Sequence, residues 1–266
     1  MRALAAARIQ VRAMGRHRTV ACGEGVEAVT ADLSDFTALL DIVTGIDAAV
    51  HCAAALSSDA DVCTQVNVQG TRHLLTALAA GGCKRLVHIS SVSVYNAGAA
   101  AVLDEDSPCW SDQSHYPYGR TKAAAERLVA ASGLGYVVLR PAPVLSLHAS
   151  SFWGPLALQR ARVSTAPIFG FHSFPFVHVD NLAQAVLLAL RADGAALGRC
   201  YNVVDFHGDT SEYVSAVAAA IGRAPAQLPL DAPDMRIAGE RIRRDLGYDP
   251  PDLFQDFLAG MRRLSS

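Results

Sequence analysis

The sequence predicts an α/β protein: a doubly wound, mainly parallel sheet with helices on both faces, and a smaller discontinuous lobe after it. Three observations predict this. Short apolar runs alternate with amphipathic helical stretches up to about residue 140. The runs are almost continuously apolar, as strands covered on both faces must be. Past Pro141 the rhythm fades, and Ser146–Pro175 is rich in Ser, Pro, His and aromatics.

The elements follow in order. Arg2–Arg8 reads as the last turns of a helix and Gln10–Met14 as a strand. Val26–Ala31 is a second strand, ending at Asp32. Phe36–Val43 has helical spacing, and Ala48–Cys52 is a compact strand ending in small residues. Asp61–Ala80 predicts one helix through Val62, Val66, Val68, Leu74, Leu75 and Leu78, stopped by Gly81-Gly82. Arg85–Ser90 is a strand, Thr121–Ser132 an Ala-rich helix, and Tyr136–Arg140 a strand closed by Pro141. Beyond it, Asn181–Arg191, Ser211–Ile221, Arg241–Leu246 and Leu253–Leu264 are helical, and Cys200–Val204 is a strand. A nucleotide-binding core is expected over 1–140. Residues 141–266 are expected to form mainly a substrate-binding lobe, with segments returning to the core.

Composition narrows the function. Apolar residues make up 51% and charged residues 18% of the 266, a globular balance. A net charge of −2 without Lys/Arg runs argues against nucleic acid as a partner. No apolar stretch reaches the ~20 residues of a membrane span. The six cysteines, Cys22, Cys52, Cys63, Cys83, Cys109 and Cys200, lack zinc or disulfide spacing, so no metal and a reducing, cytoplasmic compartment are expected. The start is Arg-rich but has no serine before Ser34, unlike a transit peptide.

Chemistry concentrates in HYPYGRTKAAAE. Tyr118 and Lys122 are four residues apart, hence on one face of a helix. A nearby ammonium favours phenolate and would lower the Tyr118 pKa toward a range useful for proton exchange with an alcohol or carbonyl oxygen. Upstream, LVHISSVSVYN runs an apolar strand into Ser90-Ser91, where parallel sheets collect ligands. Each feature has a plain alternative: a helix-surface pair, and serines that satisfy strand-end backbone groups.

Taken in order, these and other segments resemble the extended short-chain dehydrogenase/reductases, the NAD(P)-dependent epimerase/dehydratase group with a Rossmann fold. VTADLSD matches the family's strand-end Asp, here Asp32, with Leu33 beside it. AVHCAA, with Cys52, Ala53 and Ala54, matches the segment under the cofactor. VNVQGTRHLL carries the family's Asn as Asn67. SSVSVYN places the catalytic Ser at Ser91, and YGRTK gives Tyr118 and Lys122. LRPAPV, with Pro141 and Val144, matches the segment near the nicotinamide. FVHVDNLAQAV, CYNVVD and LGYDPPD match later signatures. The resemblance implies Tyr118 as acid/base, Lys122 as its modulator and ribose ligand, and Ser91 as the group that orients the substrate oxygen.

The family's opening strand and G-x-x-G-x-x-G loop have no counterpart; Gly23 and Gly25, and Gly81-Gly82, stand in the wrong context. The resemblance therefore starts at the end of the first family helix, with roughly 20 residues absent. That strand is central in the sheet order, so a gap is expected between the Gln10–Met14 and Ala48–Cys52 strands. The reading adopted is a start assigned too late.

At the second strand, Gly15 takes the acidic slot of NAD enzymes and Arg16 follows. This suits a 2′-phosphate, so NADP is expected, with NAD as the alternative and Arg16 and Arg18 as plain loop charges otherwise. Val92-Ser93 replaces the Asp-Glu of the family's 4,6-dehydratases. The lobe shows few basic residues beyond Arg160 and Arg162, while Phe152, Trp153, Phe169, Phe171, Phe174 and Phe176 suit an apolar substrate or simply pack. His148 and His172 are read as structural rather than substrate contacts. The expected function is hydride transfer on an alcohol or ketone, as in ketone reductases or hydroxysteroid dehydrogenases. The alternatives are nucleotide-sugar epimerisation and an inactive member of the fold. A homodimer through the helices near 61–80 and 116–132 is expected from the resemblance alone.

Overall fold

The computed structural model describes residues 1–16, 25–96, 102–163, 170–227 and 232–264. Arg18, Cys22, Gly23 and Phe169 lie outside the described residues. In chain order the elements are α1 (Arg2–Ala6), β1 (Val11–Gly15), β2 (Val26–Thr30), α2 (Phe36–Val43), β3 (Ala48–His51), α3 (Ala60–Cys63), α4 (Gly70–Ala80) and β4 (Arg85–Ile89). Then come α5 (Pro117–Ala130), β5 (Gly135–Pro141), β6 (Val144–Leu145), α6 (Pro155–Val163), β7 (Ser173–His178) and α7 (Val179–Arg191). The last are β8 (Arg199–Val203), β9 (Phe206–Asp209), α8 (Thr210–Ala220), α9 (Glu240–Leu246) and α10 (Phe254–Arg263). Two compact units share them. The first comprises Met1–Asn96, Ser107–Arg140 and Ala183–Tyr201, the second Ala97–Asp106, Pro141–Leu182 and Asn202–Ser266.

In the first unit, parallel β1 and β2 form one sheet, and a second runs in the order β3-β4-β5-β8. β4 is parallel to both β3 and β5, with His51 opposite His88 in register. β1 and β3 belong to different sheets, as the expected gap requires. Packing joins what the backbone does not. Leu39 and Val43 of α2, Leu78 of α4, Leu86 of β4, Val129 of α5 and Val138 of β5 form one buried cluster. Asp35 caps α2 by accepting the Ala38 N–H, which fixes where this helix begins.

Two helices differ from expectation in ways that matter for the site. The single helix expected over Asp61–Ala80 is instead α3, a wider π-helical stretch at Thr64–Gln69, and α4. The Thr64 and Thr71 hydroxyls donate to the Ala60 and Asn67 carbonyls at its two ends, serving backbone acceptors displaced by the wider winding. α5 begins at Pro117, earlier than the expected Thr121, because proline suits a first helical turn. Both Tyr118 and Lys122 therefore lie inside it.

In the second unit, β7 pairs antiparallel with β9 and parallel with β6. Helices α6, α8 and α10 contribute to an aromatic-rich core containing Phe176, Tyr213, Phe254 and Phe257. Phe152 is exposed, whereas Phe176 is fully buried, so the aromatics of this region divide between surface and core. Asp205 is a hub: it accepts from Tyr248 Oη at 2.5 Å and from Asn181 Nδ2 at 2.8 Å. Among the described residues no helix is long and apolar enough to cross a membrane, and no group of three or more His, Cys, Asp or Glu could hold a metal. The five described cysteines are free thiols.

Candidate active site

The site grows from the end of β4 and the start of α5. β4 stops at Ile89, Ser90 is buried, and a short 3-10 turn at Val92–Val94 follows Ser91. The Ser91 hydroxyl accepts the Ser93 N–H at 3.1 Å, and its pull lowers the pKa of the Tyr118 phenol. Close approach of α5 to this turn depends on Gly119. A Cβ there would stand 2.4 Å from the Ser93 carbonyl oxygen and 2.6 Å from Trp110 Cδ1. The sequence reading did not single out Gly119.

Lys122 lies one turn beyond Tyr118 and is almost fully buried. Its ammonium donates to the Ile89 carbonyl at 2.7 Å, which pins it beneath the strand end that leads into Ser91. Burial pulls its pKa down to about 8, against the opposing pull of Glu126 and then Cys52. The Tyr118 phenol was expected below its ordinary range and stands above it. Burial disfavours the phenolate, and the Ser91 hydroxyl only partly offsets this. Burial dominates at Tyr118, and the Lys122 ammonium points its hydrogen bond at Ile89.

Asn67 is buried, and its amide is used within the protein. Oδ1 accepts the Ala55 N–H at 2.7 Å, while Nδ2 donates to the Ala55 carbonyl and to Thr121 Oγ1, each at 3.0 Å. It thus ties the segment after β3 to the residue preceding Lys122. His51 and His88 sit behind Lys122 with their rings 5.2 Å apart; His51 contacts Thr71 Oγ1, and neither ring nitrogen of His88 has a partner.

The remaining residues singled out in the sequence fall in three places. Arg16 follows β1 and approaches the Asp32 carboxylate at 4.0 Å, both side chains being exposed. Asp32 is held below the usual carboxylate range by Ser34, through backbone and side-chain hydrogen bonds, with a smaller pull from Arg16. Leu33 is buried against α4, where a Cβ on Gly70 would meet it at 2.9 Å. Cys52, Ala53 and Ala54 are small and exposed beyond β3. Pro141 and Val144 belong to the second unit, buried and partly buried. The residues present suit parts of a dinucleotide: a carboxylate and a guanidinium beyond β1 and β2, small side chains that leave backbone open beyond β3, and a buried ammonium. Among the described residues there is no glycine-rich pyrophosphate cradle.

Glu126, Arg140 and Tyr95 were not predicted. Glu126 receives Arg140 Nε at 3.0 and 3.2 Å and Nη2 at 2.6 Å, and Arg140 Nη1 donates to Tyr95 Oη at 3.0 Å. The spacing Tyr118, Lys122, Glu126 was the available signal, a carboxylate repeating the four-residue step.

A parallel α/β unit with a Ser–Tyr pair and a buried lysine one turn on defines a short-chain dehydrogenase-like protein. Its Ser91, Tyr118 and Lys122 all lie in the first unit. The chain belongs to the NAD dependent epimerase/dehydratase family, whose model matches residues 1–203. It is 31% identical over 218 residues to a 2-alkyl-3-oxoalkanoate reductase of Stenotrophomonas maltophilia, covering 74% of this chain and 64% of that protein. The chain thus spans less than two thirds of that curated relative. Among solved structures, MoeE5 in complex with UDP-glucuronic acid and NAD shares the fold, with a TM-score of 0.80 at 24% identity, covering 98% of this chain and 92% of that one. A DesIV double mutant, a dTDP-glucose 4,6-dehydratase from Streptomyces venezuelae with NAD and DAU bound, gives a TM-score of 0.75 at 26% identity, covering 91% and 80%.

Proposed function

We propose that this chain is an NAD(P)-dependent oxidoreductase that interconverts a ketone and a secondary alcohol. The observation that carries this reading is the Ser91–Tyr118 pair with Lys122 one turn on, buried and bonded to the Ile89 carbonyl at the strand end that leads into Ser91. A carbonyl oxygen placed at that pair receives hydrogen bonds from both hydroxyls. Tyr118 keeps its proton at neutral pH, since burial holds its pKa up, and so serves as the acid in ketone reduction. The proton leaves Tyr118 Oη for the oxygen as the alkoxide develops; the Ser91 hydroxyl steadies the phenolate left behind, and the Lys122 charge acts on it from one turn away, its hydrogen bond held by Ile89. When bound, a nicotinamide dinucleotide supplies the hydride.

Likeness to the 2-alkyl-3-oxoalkanoate reductase directs the choice of substrate to alkyl-bearing 3-oxo acids and related ketones. Gly15 and the exposed Arg16 favour NADP over NAD. Likeness to the dehydratase favours a nucleotide-sugar substrate as a second reading, but Val92-Ser93 lacks the acidic pair that dehydration needs. A homodimer and a cytoplasmic setting belong to the same proposal.

The test is nicotinamide absorbance during turnover with 3-oxo acids and with nucleotide sugars, beside Kd values for NADPH and NADH. Expected are ketone reduction with NADPH, tighter binding of NADPH, and a loss of about 100-fold or more in Tyr118→Phe. Equal turnover in Tyr118→Phe overturns the assigned acid. Activity on nucleotide sugars alone moves the reading to epimerisation, and tighter NADH binding removes the NADP preference.

A further inference from the structure

We propose that Glu126, clamped by Arg140 and Tyr95, is a positioning residue that sets the charge and the place of Lys122. The inference rests on the oxidoreductase reading for its catalytic meaning, but its geometry is independent of any substrate. Tyr118, Lys122 and Glu126 occupy successive turns of one face of α5. The Glu126 carboxylate is 8% exposed and the residue facing it, Arg140, 5%. Three N–H···O contacts hold the two together, and the Arg140 guanidinium also lies 5.0 Å from the centroid of the Tyr95 ring.

The clamp connects three elements that the proposed chemistry needs in register. Glu126 belongs to the helix of Tyr118 and Lys122, and Arg140 to β5, the neighbour of β4. Tyr95 closes the turn that begins at Ser91, its N–H bonded to the Val92 carbonyl. An ion pair used only for packing could sit anywhere along α5. This one stands a single turn from a buried ammonium and reaches the loop of the partner hydroxyl.

Among the described residues the other groups that act on Lys122 are neutral or weaker sources of negative charge, and the Arg140 cation is held on Glu126. His51 of β3 and His88 of β4 are buried and resist protonation, and Cys52 follows β3. Tyr118 holds its proton. Glu126 is the carboxylate that opposes the burial penalty on the Lys122 ammonium. Removing its charge takes the carboxylate away from both cations and makes the ammonium harder to keep.

The sequence offers a clean readout, because it contains only two lysines, exposed Lys84 and buried Lys122. With 13Cε-labelled lysine, the full chain gives two resolvable titrations, and Lys122→Arg assigns them. In Glu126→Gln the Lys122 titration is expected to move down by about one pH unit or more, and in Glu126→Asp to return most of the way. Because loss of the carboxylate facing buried Arg140 endangers folding, Glu126→Gln/Arg140→Met is measured as well, with a smaller downward shift expected. An unmoved Lys122 titration in either folded variant overturns the proposal and leaves the ion pair a packing feature. Since this readout needs no turnover, a chain without hydride transfer but with the expected shift loses the oxidoreductase reading and keeps this one. Where turnover is measured, the alkaline limb of the kcat profile moves down with the Lys122 titration.

Discussion

At Gly119 a single hydrogen atom decides whether α5 can lie against the Ser91 turn. The 2.4 Å approach of a built Cβ to a backbone oxygen leaves no flexible group to yield. Gly119→Ala is therefore expected to push Tyr118 away from Ser91. Turnover should fall by about 100-fold, since misplacement on the ångström scale has that consequence. Stability should fall by about 1–3 kcal/mol, as in other overpacked sites. Steady-state kinetics beside urea denaturation checks both, and an alanine variant with full turnover refutes the steric account. Among the residues of the site, Ser91, Tyr118 and Lys122 were readable because their types and spacing carry chemistry. Gly119 was not, because a close approach between distant segments leaves no local pattern. Arg140 was read only as the end of a strand, since nothing in the sequence says that it faces Glu126.

Strands β3 and β4 place His51 and His88 opposite each other in a dry environment. Burial, and then the Lys122 charge, lower the His51 pKa to about 3 and take His88 well below its ordinary value. An unfolded histidine titrates near ~6.5, so below that pH the unfolded chain binds more protons than the folded one. The stability they contribute is complete above that pH and is lost as the pH falls toward 3. The slope is up to about 1.4 kcal/mol per pH unit for each histidine. Urea midpoints between pH 7 and 4 should fall, and His88→Leu should flatten that fall; an unchanged slope in the variant argues against the buried-neutral pair. The elements themselves were legible wherever apolar residues kept one period, as in α2, whose span was read without error. The π-helical break at Thr64–Gln69 escaped because the apolar spacing of Val62, Val66 and Val68 fits a helix wound either way. Helix α6 escaped because its buried stripe is little more than Ala157 and Leu158.

Across the first unit, hydrogen bonding and packing have different boundaries. β4 has strand neighbours on both sides, whereas among the described residues β3 has only β4 and β1 only β2. Hydrogen exchange should therefore be slowest in β4 and β5, and faster at alternate amides of β1 and β3. Uniform protection of all four strands is the result that contradicts this picture. The parallel α/β architecture and the order of its elements were legible from the sequence, as was the division between β1 and β3, because a strand order is a rule about connections. The pairing inside the second unit was not: β7 begins in the stretch of weak periodicity, and β9, FHGD, is too short and polar to read as a strand.

The divided sheet also has a thermal consequence. Arg16 and Asp32 stand on the β1-β2 plate, while Ser91, Tyr118 and Lys122 stand on the plate that contains β4 and beside it. Among the described residues the plates are joined only by side chains: α2 packs on α4 and receives Arg12 of β1 at the carbonyls of Ile42 and Thr44, and His73 Nδ1 of α4 meets the Leu33 carbonyl at 2.9 Å. Backbone hydrogen bonds make a sheet open as one cooperative body; a few side-chain contacts permit one plate to loosen while the other holds. The end proposed to grip the far side of a dinucleotide can thus breathe without disturbing the proton-transfer groups.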